Sequence, residues 1–151
     1  MQEKRIAIAS DHAGCLLKRA LHQYLEKNGY PILDFGAYNP ETSLDYPDQA
    51  DRVAKALYHN EADIGILFCG SGIGMSIAIN RYPFARGALV FNSEMARLAR
   101  FHNNANVLIL GGRMMDEKTA IECLEMFLKT PFEGGRHEMR VKKLGELPHD
   151  L

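Results

Sequence analysis

The stretch Cys69-Gly70-Ser71-Gly72-Ile73-Gly74 brings together a thiol, a hydroxyl and three glycines. Glycines let backbone approach a ligand closely, and successive N–H groups leading into a helix form a cradle for an anion. The positive end of a helix also favours the thiolate form of a cysteine, which is the reactive one. The alternative is a tight turn beside a buried, inert cysteine, a common fate for the residue. Packing alone would not place three glycines and a hydroxyl next to it, so the functional reading is preferred. Spacing excludes several chemistries. No Gly-Lys-Ser/Thr follows, so this is not a Walker loop. No residue separates Ser71 from its flanking glycines, so it is not the nucleophile elbow of a serine hydrolase. A cysteine phosphatase would set an arginine six residues after the cysteine, and that position is Met75.

Other residues could join this chemistry. Asp11 and His12 follow an apolar run and put an acceptor and a titratable ring at a helix start. A helix cap with an exposed histidine explains them equally well. The surrounding Ser10-Asp11-His12-Ala13-Gly14 is not the dinucleotide fingerprint, so no nicotinamide or flavin cofactor is expected. His102 falls one turn beyond the helical stretch Glu94 to Arg100 and precedes Asn103, Asn104 and Asn106. Position alone favours a half-buried histidine near a helix end. Gly111-Gly112-Arg113 follows a further apolar run. Arg136 and Arg140 lie one turn apart on one helical face, where two guanidinium forks can hold a phosphate. A solvated basic surface is the usual fate of such charges. Cys15, Cys69 and Cys123 form no close pair, so neither a disulfide framework nor a metal-ligand set is expected.

The elements that must position these residues alternate along the chain. Strand candidates are Ile6 to Ala9, Ile32 to Phe35, Ile64 to Phe68, Ala88 to Phe91 and Val107 to Leu110. Continuous apolar runs suit a parallel sheet covered on both faces. Helical stripes fill the gaps: Leu17, Leu21, Tyr24 and Leu25; Ala50, Val53, Ala54 and Leu57; Ile121, Leu124, Phe127 and Leu128. Asn28-Gly29 and Asn60 read as helix ends, Ser93 as an N-cap, and Asp45 before Tyr46-Pro47 as a helix start. The pattern predicts a doubly wound, Rossmann-like α/β sandwich of three layers. Its sheet has five parallel strands, and a basic helical tail begins near Pro131 and extends from the body. In such a sheet ligands bind beyond the carboxyl ends of the strands, where strand order reverses.

The chain of 151 residues, 46% hydrophobic and 25% charged with a net charge of −1, suits one globular domain over 1–151. The near-neutral balance argues against broad nucleic-acid binding. No apolar run is long enough to span a bilayer, and Met1 to Arg5 lacks the apolar core of a signal peptide. No membrane partner and a cytoplasmic location are expected, which free thiols also suit.

Taken in order, Asp11-His12, Asp45-Tyr46-Pro47, the Cys69–Gly74 loop, His102-Asn103 and Gly134-Gly135-Arg136-His137 form a recognisable set. The chain resembles type B ribose-5-phosphate isomerases, a family that includes galactose- and allose-6-phosphate isomerases. The resemblance runs from Ile6 to about Val141. One branch of that family carries glycine where Cys69 stands and its proposed base, a glutamate, where Met75 stands. This chain resembles the cysteine branch.

The resemblance implies interconversion of ribose 5-phosphate and ribulose 5-phosphate through an enediolate, as in the pentose phosphate pathway, with no metal or other cofactor. It implies Cys69 as the base, with Ser71 and the N–H groups of Gly70, Gly72, Ile73 and Gly74 holding the enediolate oxygen. By the same resemblance His102 opens the sugar ring and Asp11 handles the hydroxyl proton. Tyr46 and Asn103 would position the sugar. Arg136 and Arg140, with His12 and Arg113, would bind the phosphate. The family further implies a homodimer, or a tetramer built from it, with each active site shared between subunits. Two rival readings stand beside this one: an isomerase for a six-carbon sugar phosphate, and a sugar-phosphate-binding module without catalysis on the same fold.

Overall fold

The computed structural model describes residues 4–147. Five strands form one parallel sheet: β1 (Ile6–Ser10), β2 (Ile32–Asp34), β3 (Ile64–Cys69), β4 (Gly87–Leu89) and β5 (Val107–Gly111). Six helices accompany them: α1 (Cys15–Lys27), α2 (Tyr46–Tyr58), α3 (Ile73–Ile79), α4 (Ser93–Phe101), α5 (Glu117–Lys129) and α6 (Arg136–Leu144). The strand order is β2-β1-β3-β5-β4, so the chain changes direction across the sheet between β1 and β3. This is the doubly wound fold that the alternating pattern predicts.

The three central strands β1, β3 and β5 are buried on both faces, and their side chains alternate between two cores. Ile6, Ile8, Ile66, Phe68, Leu108 and Leu110 pack with α1, α4 and α5. Ala7, Ala9, Leu67, Cys69, Val107 and Ile109 pack with α2 and α3. Gly65 allows α2 to approach closely: a Cβ there would stand 2.6 Å from Val53 Cγ1. The sheet-facing positions of α1 and α5, at Leu17, Leu21, Leu25, Leu124, Phe127 and Leu128, are buried. Lys18 is buried too, and its ammonium reaches Asp34 at 2.6 Å. That carboxylate also accepts the Gly36 N–H at 2.9 Å. The pair anchors the end of β2, and removing Asp34 would strand a buried cation.

Helix ends agree with the sequence except at α4. Asn28 ends α1 and is followed by Gly29 at φ 80. Asn60 adopts φ 57 just beyond α2, and Asp45 precedes α2 as its N-cap. The cap of α4 is Asn92 and not Ser93: Asn92 Oδ1 accepts the Met95 N–H at 2.8 Å, and Ser93 is already helical. Asparagine and serine cap almost equally well, so neighbouring candidates cannot be ranked by type.

Candidate active site

Three loops meet at the carboxyl edge of the sheet. Register places Ser10 beside Phe68 and Cys69 beside Gly111, so Asp11, Gly70 and Gly112 emerge next to one another. Backbone hydrogen bonds lace them together. Asp11 N–H donates to Phe68 O at 3.2 Å, Gly112 N–H to Cys69 O at 2.7 Å and Arg113 N–H to Gly70 O at 2.9 Å. Arg113 lies over Gly70, where a Cβ would come 3.5 Å from Arg113 Cδ. This edge includes the switch between β1 and β3, where the fold is expected to bind ligands.

Cys69 is the last residue of β3, and its side chain points to the α2–α3 face at 4% exposure. The loop after it turns through Gly72 at φ +82, a left-handed conformation that favours glycine. Ser71 Oγ accepts the Ile73 N–H at 3.1 Å, so the hydroxyl sits at the mouth of the cradle. The amides of the first turn of α3 lack carbonyl partners within the helix, as at any helix start. Gly74 faces the ring of Tyr46, from which a Cβ would be 2.9 Å away. Tyr46 opens α2 and stays 40% exposed. Met75 is fully buried and forms an apolar wall behind the loop.

Asp11 and His12 both carry structural bonds at this edge. Asp11 Oδ1 accepts the Gly14 N–H at 3.0 Å ahead of α1, so the capping role is present. His12 Nδ1 accepts the Leu44 N–H at 3.4 Å, tying it to the approach to α2. The structure therefore gathers Asp11, His12, Tyr46, Cys69, Gly70, Ser71, Gly72, Ile73, Gly74 and Arg113 on one edge.

It does not bring the remaining candidates there. In a parallel sheet each helix carries the chain back to the amino edge. α4 does so between β4 and β5, so His102, its C-cap, and Asn103 arrive at that edge. Asn103 lines a hollow there with Arg86, Gly87 and Leu144. Phe101 O accepts the Glu133 N–H at 3.0 Å, which brings the start of α6 alongside. Arg136 and Arg140 are exposed on α6, on the first two turns of this helix. With five residues in β5 at about 3.3 Å each, the two edges lie roughly 15 Å apart. His102 follows a helix, as its place beyond the stretch Glu94 to Arg100 in the sequence indicates, and the parallel topology then sets its edge.

Sequence reasoning did not single out Glu133 and assigned no role to His137. The two rings of His102 and His137 stack with centroids 4.5 Å apart and planes 19° from parallel. His137 is 6% exposed, and its Nε2 lies 3.6 Å from Glu133 Oε1. Burial pushes the His137 imidazole below its usual range, and the neighbouring His102 adds to this. Donor atoms of His102, Glu133 and His137 all lie within 4.8 Å of one another, a grouping that the cysteine spacing does not reveal. The signal in the sequence was the four-residue spacing of Glu133 and His137, with His102 supplied by the fold.

A thiol and a glycine cradle lie at the switch point of a parallel α/β sheet, the place where this class of fold binds its ligands. Comparison with known proteins sharpens that class. Residues 6–144 match the family model described as Ribose/Galactose Isomerase. The structure is similar to that of a ribose 5-phosphate isomerase from Thermotoga maritima. The TM-score is 0.94 with 51% identity, covering 97% of this chain and 100% of that one. It is also similar to ribose-5-phosphate isomerase B from Mycoplasma genitalium, solved with bound ribulose 5-phosphate. There the TM-score is 0.87 with 40% identity, over 93% of each chain. Ribose-5-phosphate isomerase B of Escherichia coli K12 is 38% identical over 141 residues, 93% of this chain and 94% of the relative. This chain belongs to the ribose/galactose isomerase family.

Proposed function

We propose that the chain is an aldose–ketose isomerase that interconverts ribose 5-phosphate and ribulose 5-phosphate through an enediolate. The reaction removes a proton from a carbon beside a carbonyl, a very weak acid. It needs a base at that carbon and donors for the developing oxyanion. The observation that carries the reading is Cys69 at the mouth of the glycine cradle, with the adjacent Met75 buried and unable to take a proton. Cys69 moves the proton between C2 and C1, while Ser71 and the amides from Gly70 to Gly74 hold the oxygen. Asp11 handles the hydroxyl proton and Tyr46 positions the sugar. Relatives named ribose-5-phosphate isomerase B, one solved with the ketose product, support the pentose over a hexose.

The ring-opening acid His102, the positioning residue Asn103 and the phosphate clamp of Arg136 and Arg140 stand at the far edge of the same chain. A complete site then needs a second copy, whose amino edge faces this cradle. A homodimer with shared sites follows. His12 and Arg113 meet the phosphate from the cradle side.

The test is a turnover assay with ribose 5-phosphate in the absence of added metal or cofactor, run beside allose 6-phosphate and galactose 6-phosphate. The pentose is turned over fastest. Cys69→Ala loses turnover by a factor of about 10² to 10⁴, as for a general base, with substrate affinity retained. Turnover of a hexose alone would reassign the substrate, and full activity in Cys69→Ala would remove the base.

A further inference from the structure

His102 at the end of α4 and the pair Glu133 and His137 around the start of α6 come from two parts of the chain, yet their donor atoms cluster within 4.8 Å. Two imidazoles and one carboxylate form the ligand set of open zinc sites, which keep a fourth position for water or a ligand. The buried His137 Nε2 has no hydrogen-bond partner among the described residues. Its distance of 3.6 Å from Glu133 Oε1 is too long for a hydrogen bond. Buried polar atoms are normally satisfied, so this nitrogen points to something it could hold. Two ligand atoms on one tetrahedral ion with bonds of about 2.0–2.1 Å stand roughly 3.4 Å apart, close to the separation seen. Glu133 and His137 sit at positions i and i+4, spanning the Gly134-Gly135 turn (φ 75 and 57) and the first turn of α6. His102 is half-buried at the C-cap of α4, and its ring shifts from the stack to complete the set when the ion binds.

We propose that His102, His137 and Glu133 bind a divalent transition-metal ion, with Zn²⁺ the best fit to this donor set, and that the bound ion inhibits the enzyme. Two imidazole nitrogens among three donors favour the later first-row ions over Mg²⁺ or Ca²⁺, which prefer all-oxygen shells. Arg136, next to one ligand, and Arg140, one turn on, oppose the charge of the ion, so the site binds more weakly than an all-neutral shell would. Binding occupies the His102 nitrogen that would carry the proton to the ring oxygen, so the acid is lost. This inhibitory consequence rests on the proposed role of His102, whereas the binding itself does not.

The test is titration of the chelator-treated full chain with Zn²⁺ by calorimetry, and with Co²⁺ by visible absorption. One ion per chain is expected, with a nitrogen–oxygen ligand field and no thiolate-to-metal band. Glu133→Gln and His137→Gln weaken binding at least tenfold, and Cys69→Ala leaves it unchanged. A thiolate band, loss of binding in Cys69→Ala alone, or undiminished binding in Glu133→Gln would each overturn the site, and the Co²⁺ spectrum of the unsubstituted protein does so without any variant. In the isomerase assay Zn²⁺ lowers turnover, a chelator restores it, and Glu133→Gln resists the ion. Binding at these residues with turnover untouched would support the metal site while overturning both the inhibition and the role of His102.

Discussion

Cys69 and Cys123 are both buried thiols, and their surroundings separate them. Cys123 lies inside the α5 core, where burial pushes its pKa up to about 11, so it stays a protonated thiol through neutral pH. Cys69 ends a strand and opens onto a loop in which Gly70 and Ser71 are half-exposed. Alkylation needs the thiolate, so iodoacetamide at neutral pH should label Cys69 well before Cys123 in the folded protein. Peptide mass analysis over time would check the order, and ribulose 5-phosphate should slow labelling at Cys69. Label on Cys123 first would argue that the cradle is closed. In the sequence these cysteines differ only in their neighbours, and the neighbours were enough to choose Cys69. The capping bond from Gly14 to Asp11 was legible only as one of two options, because a carboxylate before a helix looks the same whether it caps or catalyses.

The central strands and the helices α1, α2 and α5 were legible because β1, β3 and β5 are apolar runs and those helices carry stripes, whereas β4 was read two residues too far and the tail helix begins at Arg136, five residues beyond Pro131. What the pattern could not give is how closely the elements approach, and two glycines of the cradle show why that matters. A Cβ on Gly72 would meet Leu89 Cδ1 at 2.5 Å in a backbone at φ +82. Gly72→Ala therefore pays a left-handed conformation of about 1–2 kcal/mol and a clash with the sheet. A Cβ on Gly74 would meet the outer ring atoms of Tyr46 at 2.9 Å, and that ring is partly exposed and free to swing away. Gly74→Ala should leave the melting temperature nearly unchanged while raising KM through a displaced Tyr46. Gly72→Ala should lower the melting temperature by several degrees, since about 1 kcal/mol shifts a domain of this size by roughly 2–4 °C. Thermal unfolding paired with steady-state kinetics would separate the two. Equal thermal losses would mean that Tyr46 is held in place and does not act as a movable lid on the sugar.

At the scale of the whole molecule, the topology splits the proposed machinery. Residues that follow strands gather at one edge, and residues that follow helices gather at the other. The sequence named both sets, but the edges were hidden, because motif order along a chain does not say which end of the sheet a helix reaches. The split makes a sharp prediction. A Cys69→Ala chain keeps His102 and Arg136, and a His102→Asn chain keeps Cys69 and the cradle. Each alone assembles only damaged sites. When the two are unfolded together and refolded in equal amounts, half of the two-fold dimers pair one of each. In such a dimer one site receives both substitutions and the other receives neither. About a quarter of all sites are then intact, and turnover should rise to about a quarter of that of the unsubstituted protein. Mixing without refolding should recover less if the dimer exchanges slowly. No recovery after refolding into dimers would mean that each site is completed within one chain, which would require α6 to leave the amino edge and reach its own cradle.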